Sequence, residues 1–299
     1  MSFSSEVKKE LCAAVTHKPC CSLAEGYGMA LCGNSFCHDD IHILTENIAV
    51  AGRYARRLGR AGGVHLEITP PQKRRGYIFA GLRGADIGPT AEAILAAYGQ
   101  DDRRPHLNTA LLKNECCVSA FLRGAFLTGG VAVDPERGYH LEFALPSAVI
   151  ADELVALLAG MDLSVGRIKR GGLTVLYLKE STNIEDLLIL MGAPVSALTL
   201  MNVKIYKDLR NNSNRITNCD TANISKTVVA AAAQLAAIEQ LERAGRLPLL
   251  SEDLLLAARL RQENPELSLG ELALLGGVSR SWIARRLAAL VSLAGEEKA

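Results

Sequence analysis

The stretch Phe121-Leu-Arg-Gly-Ala-Phe-Leu-Thr-Gly-Gly-Val131 predicts a short helix at the centre of the fold. Three large apolar side chains share one face of this helix: Leu122, Phe126 and Leu127. Gly124 leaves room for a second backbone to come close, and the pair Gly129-Gly130 predicts a left-handed stop at the C-terminal end. The stretch therefore predicts a helix that packs tightly against another helix.

A similar stretch occurs earlier in the chain, in Ala24-Glu-Gly-Tyr-Gly-Met-Ala-Leu-Cys-Gly-Asn-Ser-Phe36. Each small-residue helix leads a segment of the order α-β-α-β-β-α, over about 21–100 and 115–193. The repeated order indicates a duplication, with each unit a mixed sheet that has its helices on one side. We therefore expect an α+β fold in which two similar α/β units meet at a pseudo-two-fold axis.

Composition excludes some classes of protein. The chain of 299 residues has a formal net charge of +1, so a nucleic-acid site must be a local patch. It holds no apolar run of roughly 18 residues, and its start, Met1-Ser-Phe-Ser-Ser-Glu6, does not resemble a signal peptide. We expect a cytoplasmic, nucleoid-associated protein with no membrane partner.

The eight cysteines suit a reducing compartment. The adjacent pairs Cys20-Cys21 and Cys116-Cys117 do not favour a disulfide framework. Several side chains near the first pair are of types that bind zinc: Cys20, Cys21, Cys32, Cys37, His17, His38 and His42. Because no CxxC spacing is present and Cys32 lies on a predicted helix, we interpret the cysteines as small buried side chains. We expect no metal and no cofactor.

The character of the chain changes after Thr199. The segment 201–223 is rich in asparagine and carries spaced cations, which is typical of phosphate contacts but also of a solvated linker. A long helix is predicted from Ser225 to Ala244, followed by a hinge at Gly245-Arg-Leu-Pro248. The expected domains are an N-terminal helix (1–20), a double-unit domain (21–198), an Asn-rich basic linker with a long helix (199–248) and a terminal helical domain (249–299).

The last fifty residues predict a helix-turn-helix. Helices are expected from Ser251 to Glu263, over Leu269–Leu275 and over Arg280–Leu290, with a tight turn at Gly276-Gly-Val-Ser279. Polar residues at the start of the last helix are expected to face DNA: Ser279, Arg280, Ser281, Arg285 and Arg286. The competing interpretation is a plain helical hairpin with solvated arginines.

The paired central helices and the repeat order resemble the core of the LAGLIDADG homing endonucleases. In that family an acidic residue at the end of each central helix binds the catalytic metal, and the two sheets form a saddle over DNA. The corresponding positions here are Gly33 and Gly129, which cannot bind a metal. The nearby acids Asp39, Asp40 and Asp134 lie on predicted turns or strands, so carboxylates do not converge as two-metal chemistry requires. We expect no catalytic residue and no enzyme activity.

The double unit followed by a helix-turn-helix resembles the WhiA family of bacterial sporulation and cell-division regulators over nearly the whole chain. The most specific marks are Phe121–Leu127, Tyr139-His-Leu-Glu-Phe143 and Asn214-Arg-Ile-Thr-Asn-Cys-Asp-Thr-Ala-Asn223. The resemblance implies a DNA-binding transcription factor of Gram-positive bacteria without nuclease activity. It also favours Asn214, Arg215 and Asn218 as DNA contacts.

Three functions remain open at this stage. The first is a regulator that binds promoter DNA with the terminal helical domain (the tail, 249–299) and with cations of the double-unit domain. These cations are Arg53, Arg56, Arg57, Arg60, Lys73, Arg74 and Arg75. The second is a scaffold whose double unit binds another transcription regulator or RNA polymerase. The third is a residual metal nuclease, which Gly33 and Gly129 oppose. Under the first, residues 1–200 and 200–299 should each bind DNA more weakly than the intact chain.

Overall fold

The structure is a computed structural model that describes residues 2–16, 18–70, 76–84, 87–100 and 105–295. The chain divides into two compact units, Met1–Lys207 and Asp208–Ala299, which are described separately. No helix within these ranges is both long and apolar enough to cross a lipid bilayer.

The first unit alternates helices with short strands. Its helices are α1 (Phe3–Ala13), α2 (Pro19–Leu31), α3 (Ile48–Gly62), α4 (Gly88–Ala97), α5 (Glu115–Gly129), α6 (Ala148–Ala159), α7 (Ser181–Met191) and the first part of α8 (Pro194–Arg243). Its strands are β1 (Ser35–Cys37), β2 (Asp40–Thr45), β3 (Glu67–Thr69), β4 (Ile78–Arg83), β5 (Gly130–Ala132), β6 (Leu141–Leu145), β7 (Gly166–Arg170) and β8 (Leu173–Leu178).

The strands form two four-stranded sheets of the same order, β1-β2-β4-β3 and β5-β6-β8-β7. Corresponding helices start alike, because Asn47 caps α3 and Ser147 caps α6 through a side-chain oxygen. The equal order confirms the predicted duplication and the α+β class. Two details of the prediction were wrong. All of these strand pairs are antiparallel, whereas a mixed sheet was expected. Each of the two repeats, which contribute one sheet apiece, has one strand more than expected.

The extra strand of the first sheet arises because the segment Phe36–Leu44, expected as one strand, folds back on itself as β1 and β2. Strand β5 was missed because its three residues are too few to show a periodic pattern. Gly130 begins β5 with an extended backbone, φ −88° and ψ 146°, and not the left-handed conformation expected of a helix stop. The chain therefore passes from the end of α5 directly into strand β5.

Helices α2 and α5 pack against each other at the centre of the unit, and two glycines set how closely they approach. A Cβ atom on Gly28 would lie 2.1 Å from the carbonyl oxygen of Phe121, and one on Gly124 would lie 2.0 Å from that of Glu25. Real Cβ atoms do not come this near, so the crossing requires glycine at both positions. The tight helix pair predicted from the sequence is confirmed.

The second unit is helical. The end of α8 packs with α9 (Glu252–Glu263), α10 (Leu269–Leu275) and α11 (Arg280–Gly295) around a separate apolar core that includes Ile238, Leu272 and Leu287. Ser268 and Glu271 form a capping box at the start of α10, and Gly277 turns the chain with a left-handed φ of 61°. The predicted helix-turn-helix architecture is confirmed.

Helix α8 corrects two expectations. It runs without a break from Pro194 to Arg243, so the Asn-rich segment is helical and the helix does not begin at Ser225. The glycine expected to form a hinge, Gly245, follows the part of α8 that packs into the core of the second unit through Ala237, Ile238 and Leu241. It therefore forms a turn inside that unit. Asparagine has a poor helix propensity, which is why the pattern favoured a linker.

Candidate nucleic-acid interface

The start of α11 presents a set of exposed polar side chains. The Ser279 hydroxyl accepts a hydrogen bond from the backbone N–H of Trp282 at 3.2 Å, so Ser279 caps the helix. Arg280 and Ser281 follow it and are exposed. Below them, Ile283, Leu287 and Leu290 are fully buried in the core of the unit. The apolar face thus fixes which side of the helix is turned to solvent.

The two arginines in the next turn of α11 differ in their contacts. Arg285 is exposed, and its Nε donates to the carbonyl of Ser281 at 3.2 Å within the same helix. Arg286 donates to the carboxylate of Asp253 on α9 at 2.7 Å, and its guanidinium lies 4.7 Å from the ring centroid of Trp282. Arg286 is therefore held against the protein, whereas Arg285 is free to reach outward.

A basic cleft of about 360 Å³ lies beside the start of α10. Its lining includes cations from three helices, Lys226 of α8, Arg261 of α9 and Arg280 of α11. The Arg261 side chain is buried, and its Nη1 donates to the carbonyl of Leu267 at 2.7 Å. Sequence reasoning missed Lys226 and Arg261 because the three helices are separate in the chain. The cleft can hold a phosphate-sized anion, and cations of this kind commonly contact the DNA backbone.

The asparagine-rich part of α8 is solvent-exposed from residue 208 to residue 226. Asn214 and Asn218 are four residues apart and share one helix face, with Arg215 beside them. The helix thus places these three predicted DNA contacts on a single surface. Their binding role remains a prediction.

In the first unit, the arginine-rich helix α3 does not present all its cations to solvent. Arg53 and Arg57 turn inward to Glu25 of α2, whose side chain is fully buried. Arg57 Nε donates to Glu25 Oε1 at 3.0 Å, and Arg123 of α5 approaches Oε2 at 3.3 Å. Arg53 and Arg57 were therefore wrongly expected to face DNA. Their partner, Glu25, is too distant in sequence for a local pattern to have shown it.

The cluster of Glu25 with its arginines is a buried ionic network. Burial by itself would raise the pKa of Glu25, but hydrogen bonds and positive charge from Arg53 and Arg57 outweigh it and hold the pKa below its ordinary value. Thr16 adds a hydroxyl bond to Glu25 Oε2 at 3.1 Å. The network joins α2, α3 and α5, so its arginines have a structural role.

Other cations of the first unit have different positions. Arg56 and Arg60 are exposed on α3 and line a shallow cleft of about 440 Å³. The predicted DNA contacts Lys73, Arg74 and Arg75 lie outside the described residues. They occur in the sequence between β3 and β4, which are paired antiparallel with Thr69 opposite Phe79.

The outer faces of the two sheets carry several paired charges. On the first sheet Asp40 accepts from Arg83 at 3.2 Å and contacts His42 Nδ1 at 2.7 Å, while His42 stacks on Phe79. The second sheet has a similar set, in which Glu142 pairs with Arg170 and with His140, and His140 stacks on Tyr177. Asp40 and Glu142 each neutralise a basic partner on their own sheet face.

The positions that correspond to the metal-binding acids of homing endonucleases are crowded. Gly33 follows the end of α2, and Gly129 is the last residue of α5. A Cβ on Gly129 would lie 2.7 Å from the carbonyl oxygen of Ala144. Of the neighbouring acids, Asp40 is engaged by Arg83, and Asp134 accepts from the backbone N–H of Glu136 at 3.0 Å. A carboxylate at position 129 would require the backbone to move.

The cysteines and histidines weighed as zinc ligands are not brought together as a set. Cys37 donates to the carbonyl of Asp40 at 3.4 Å, burial raises the pKa of Cys32 to about 12, and His38 contacts Glu92 at 3.3 Å. His17 lies outside the described residues. Cys20 and Cys21 instead meet Cys116 and Cys117, which the sequence had not connected with them.

Comparisons with known proteins match this architecture. Residues 118–210 match the family model of the WhiA LAGLIDADG-like domain, and residues 213–294 match that of the WhiA C-terminal HTH domain. The chain is 36% identical over 282 residues to a probable cell division protein WhiA of Ruminiclostridium cellulolyticum, covering 91% of this chain and 90% of that protein. It is also 36% identical over 303 residues to the protein of the same name from Alkaliphilus oremlandii, with 96% and 95% coverage.

The structural comparison agrees on the fold. The crystal structure of full-length DUF199/WhiA from Thermatoga maritima superposes with a TM-score of 0.59 over 99% of both chains, at 23% sequence identity. The molecule is thus a protein with a duplicated LAGLIDADG-like unit and a C-terminal helix-turn-helix domain. With relatives of this identity along nearly its whole length, the chain belongs to the WhiA family.

Proposed function

We propose that the protein is a sequence-specific DNA-binding regulator of transcription that acts in cell division or sporulation. The observation that carries this proposal is the start of α11, where Arg280, Ser281 and Arg285 are exposed above a buried apolar face. A helix of this kind can place arginine in the major groove, where it bonds to guanine in a bidentate manner. The relatives' name supports a role in cell division.

The cleft beside α10 adds phosphate contacts to this proposal. Lys226 and Arg280 line it from two different helices, so one DNA strand can be held by both. Asn214, Arg215 and Asn218 extend the polar surface along α8, and amide and guanidinium groups bind phosphate well. Promoter DNA is the proposed partner, and the nucleoid in the cytoplasm is the proposed location.

The test compares variants of α11 in binding to DNA. A target is first selected from random duplexes with the full chain, and affinities are then measured on the target and on unrelated DNA. Arg280→Ala and Arg285→Ala should each weaken target binding by about 1–3 kcal/mol, with a smaller loss on unrelated DNA if the arginine contacts a base. Arg243→Ala is the matched control, because Arg243 is an exposed arginine that pairs with Glu239 at the end of α8. If both α11 variants bind as the unmodified chain does, α11 does not contact the DNA.

We also propose that the protein does not cut DNA. Gly33 and Gly129 offer no metal ligand at the helix ends, and metal-dependent hydrolysis of phosphodiesters needs carboxylates that converge on the ions. Plasmid DNA incubated with equimolar protein and Mg²⁺ or Mn²⁺ should remain intact. Cleavage that disappears in Asp134→Asn would contradict this.

A second candidate function concerns the first unit, which we propose as a platform for a protein partner such as another regulator or RNA polymerase. The observation in its favour is that Arg53 and Arg57 are used inside the fold and that Arg83 and Arg170 pair with acids on the sheet faces. A surface with both signs of charge suits a protein better than a polyanion. Crosslinking of the full chain in cells, followed by mass spectrometry, tests this. The candidate fails if the first unit crosslinks only to DNA.

A further inference from the structure

Four thiols from the two central helices form a compact cluster. The Sγ atoms of Cys20, Cys21, Cys116 and Cys117 all lie within 4.8 Å of one another. In the part of the chain that the structure describes, this is the one group of three or more cysteine, histidine or acidic side chains arranged closely enough to hold a metal ion. Neither the predicted DNA interface nor the buried Glu25 network uses these thiols.

The four cysteines occupy equivalent places in the duplicated units. Helix α2 begins at Pro19, so Cys20 and Cys21 are its second and third residues. Helix α5 begins at Glu115, so Cys116 and Cys117 are likewise its second and third residues. Because α2 and α5 pack on each other, the two pairs lie side by side at the starts of the two helices. The duplication thus supplies two ligands from each half.

We propose that this cluster is a structural site for one thiophilic divalent cation, zinc foremost, bound by four thiolates. Zinc in structural sites takes four tetrahedral ligands with Zn–S distances of about 2.3 Å, which places the sulfurs ~3.8 Å apart. The four Sγ atoms need only a small contraction from their present spacing to reach this geometry. All four ligands come from the protein, as in a closed structural site.

The chemistry of the donor set favours a single soft ion. Four sulfur ligands select zinc or iron over magnesium and calcium, which prefer oxygen. An iron–sulfur cluster has its own irons and sulfides between the cysteines and so holds them farther apart than one ion does. The short spacing in this cluster therefore fits one ion better.

The surroundings of the four thiols differ across the cluster. Burial raises the pKa of Cys21 to about 12 and also raises the pKa of Cys117. The pKa of Cys20, which is exposed, is lowered chiefly by a hydrogen bond with Cys117. A bound divalent ion takes thiolate ligands and releases their protons, and the two helix N-termini add favourable positive potential for the thiolates.

Such a site would crosslink the starts of α2 and α5. The glycines at Gly28 and Gly124 already bring these helices together farther along, and the metal would fix their other end. Two other states of the same thiols are possible chemically, free thiols with no ligand and disulfides formed across the helices by an external oxidant. The experiment distinguishes all three.

The full chain is expressed in zinc-supplemented medium and purified anaerobically with a non-thiol reductant. Elemental analysis should then give about one zinc ion per chain, as a four-cysteine site requires. Replacement of zinc by Co²⁺ should give the strong visible bands of tetrahedral cobalt and a sulfur-to-metal charge-transfer band. A chelator strong enough to remove the ion should lower the melting temperature.

Cys20→Ser is the first variant, because Cys20 is exposed and its replacement disturbs packing least. It should lose most of the bound zinc and the cobalt charge-transfer intensity while keeping the far-UV circular dichroism of the unmodified chain. Cys117→Ser, at a buried position, should behave alike in metal binding. Cys219→Ser is the matched control, since Cys219 is exposed on α8 outside the cluster, and it should retain the metal in full.

Three results would overturn the proposal. The first is a folded, reduced chain that takes up no zinc or cobalt beyond the level of the Cys20→Ser variant. The second is full metal retention in both cluster variants, which would place the ion elsewhere. The third is an intact mass showing disulfides between the two pairs in cells, since oxidised sulfurs cannot act as thiolate ligands.

Discussion

At the residue scale, Glu25 illustrates what a linear pattern does not reveal. An acid in a stretch of small residues, Ala24-Glu-Gly-Tyr-Gly28, has no local signal of burial, and Arg53 and Arg57 have the spacing of a solvated basic face. The structure turns all three inward, because a buried carboxylate needs compensation and only cations from other helices can supply it. Arg280 and Arg285 of α11 are exposed as predicted, because their helix has a clear apolar face of its own, whereas Arg286, expected to face outward with them, pairs with Asp253.

The first prediction concerns Glu25→Gln. Removing the carboxylate leaves Arg53, Arg57 and Arg123 close together without an acid, and breaking a buried ion pair on one side costs about 3–5 kcal/mol of folding free energy. Chemical denaturation at neutral pH measures the loss. Asp152→Asn is the control, because Asp152 pairs with Arg167 at the surface, where an ion pair contributes about 1 kcal/mol or less. Equal losses in the two variants would contradict a structural role for the network.

The same residue predicts a dependence of stability on pH. The pKa of Glu25 in the folded chain lies below its ordinary value of 4.5, because Arg53 and Arg57 outweigh the opposite effect of burial. The folded state therefore binds its proton less readily than the unfolded state, so the stabilisation is present above the ordinary pKa and is lost as the pH falls through the folded value. Glu25→Gln should show a weaker loss of stability between neutral and acid pH than the unmodified chain. An unchanged acid profile would count against this.

At the element scale, periodicity predicted the helices of the two repeats and the three short helices of the second unit. Strand β5 was missed, since three residues cannot show an alternation, and β1 was merged with β2 into one expected strand. Helix α8 was misjudged for a different reason. Residues 208–226 of this helix are exposed and have no buried apolar face that would indicate a helix. The poor helix propensity of asparagine favoured a linker instead.

The helix crossing gives the prediction at the element scale. Gly28→Ala and Gly124→Ala each place a methyl group within about 2 Å of a backbone oxygen on the other helix. Because backbone cannot move aside as a side chain can, each variant should lose at least about 3 kcal/mol of folding free energy or fail to fold. Thermal unfolding monitored by circular dichroism measures this.

The matched control for the crossing is Gly52→Ala. Its Cβ on α3 would meet only the flexible end of Arg56, at 3.3 Å. The substitution should be neutral or stabilise the helix by up to about 1 kcal/mol, because alanine has the better helix propensity. If Gly52→Ala is as harmful as the crossing variants, the effect is not one of close helix approach.

At the scale of the whole molecule, the sequence predicted two similar repeats followed by a helical domain. It did not predict which charged side chains of the repeats are paired with one another. The helix-turn-helix of the tail was predicted from its capping residues, its glycine turn and a last helix with arginines on one side. The outer faces of the sheets give no such signal, because Asp40 with Arg83 and Glu142 with Arg170 become partners only when the strands pair.

The last prediction tests which unit contacts DNA, through the dependence of DNA affinity on salt. Each phosphate neutralised by the protein contributes about 0.9 to the slope of log affinity against log salt. If Lys73, Arg74 and Arg75 each contact a phosphate, replacing all three by alanine in the full chain should reduce the slope by about 2.7, three contacts at about 0.9 each. The intact chain should also show a steeper slope and a higher affinity than residues 200–299 alone, since linked sites bind as one.

Two comparisons make the outcome unambiguous. Arg243→Ala should leave the slope unchanged, because that arginine is paired with Glu239 and lies outside the proposed contacts. Arg285→Ala should lower the slope by about 1 at most, whether or not the first unit contacts DNA. If the triple variant and residues 200–299 alone both reproduce the slope of the full chain, the first unit makes no phosphate contact. Its mixed-charge surface would then be assigned to a protein partner, and DNA binding to the second unit.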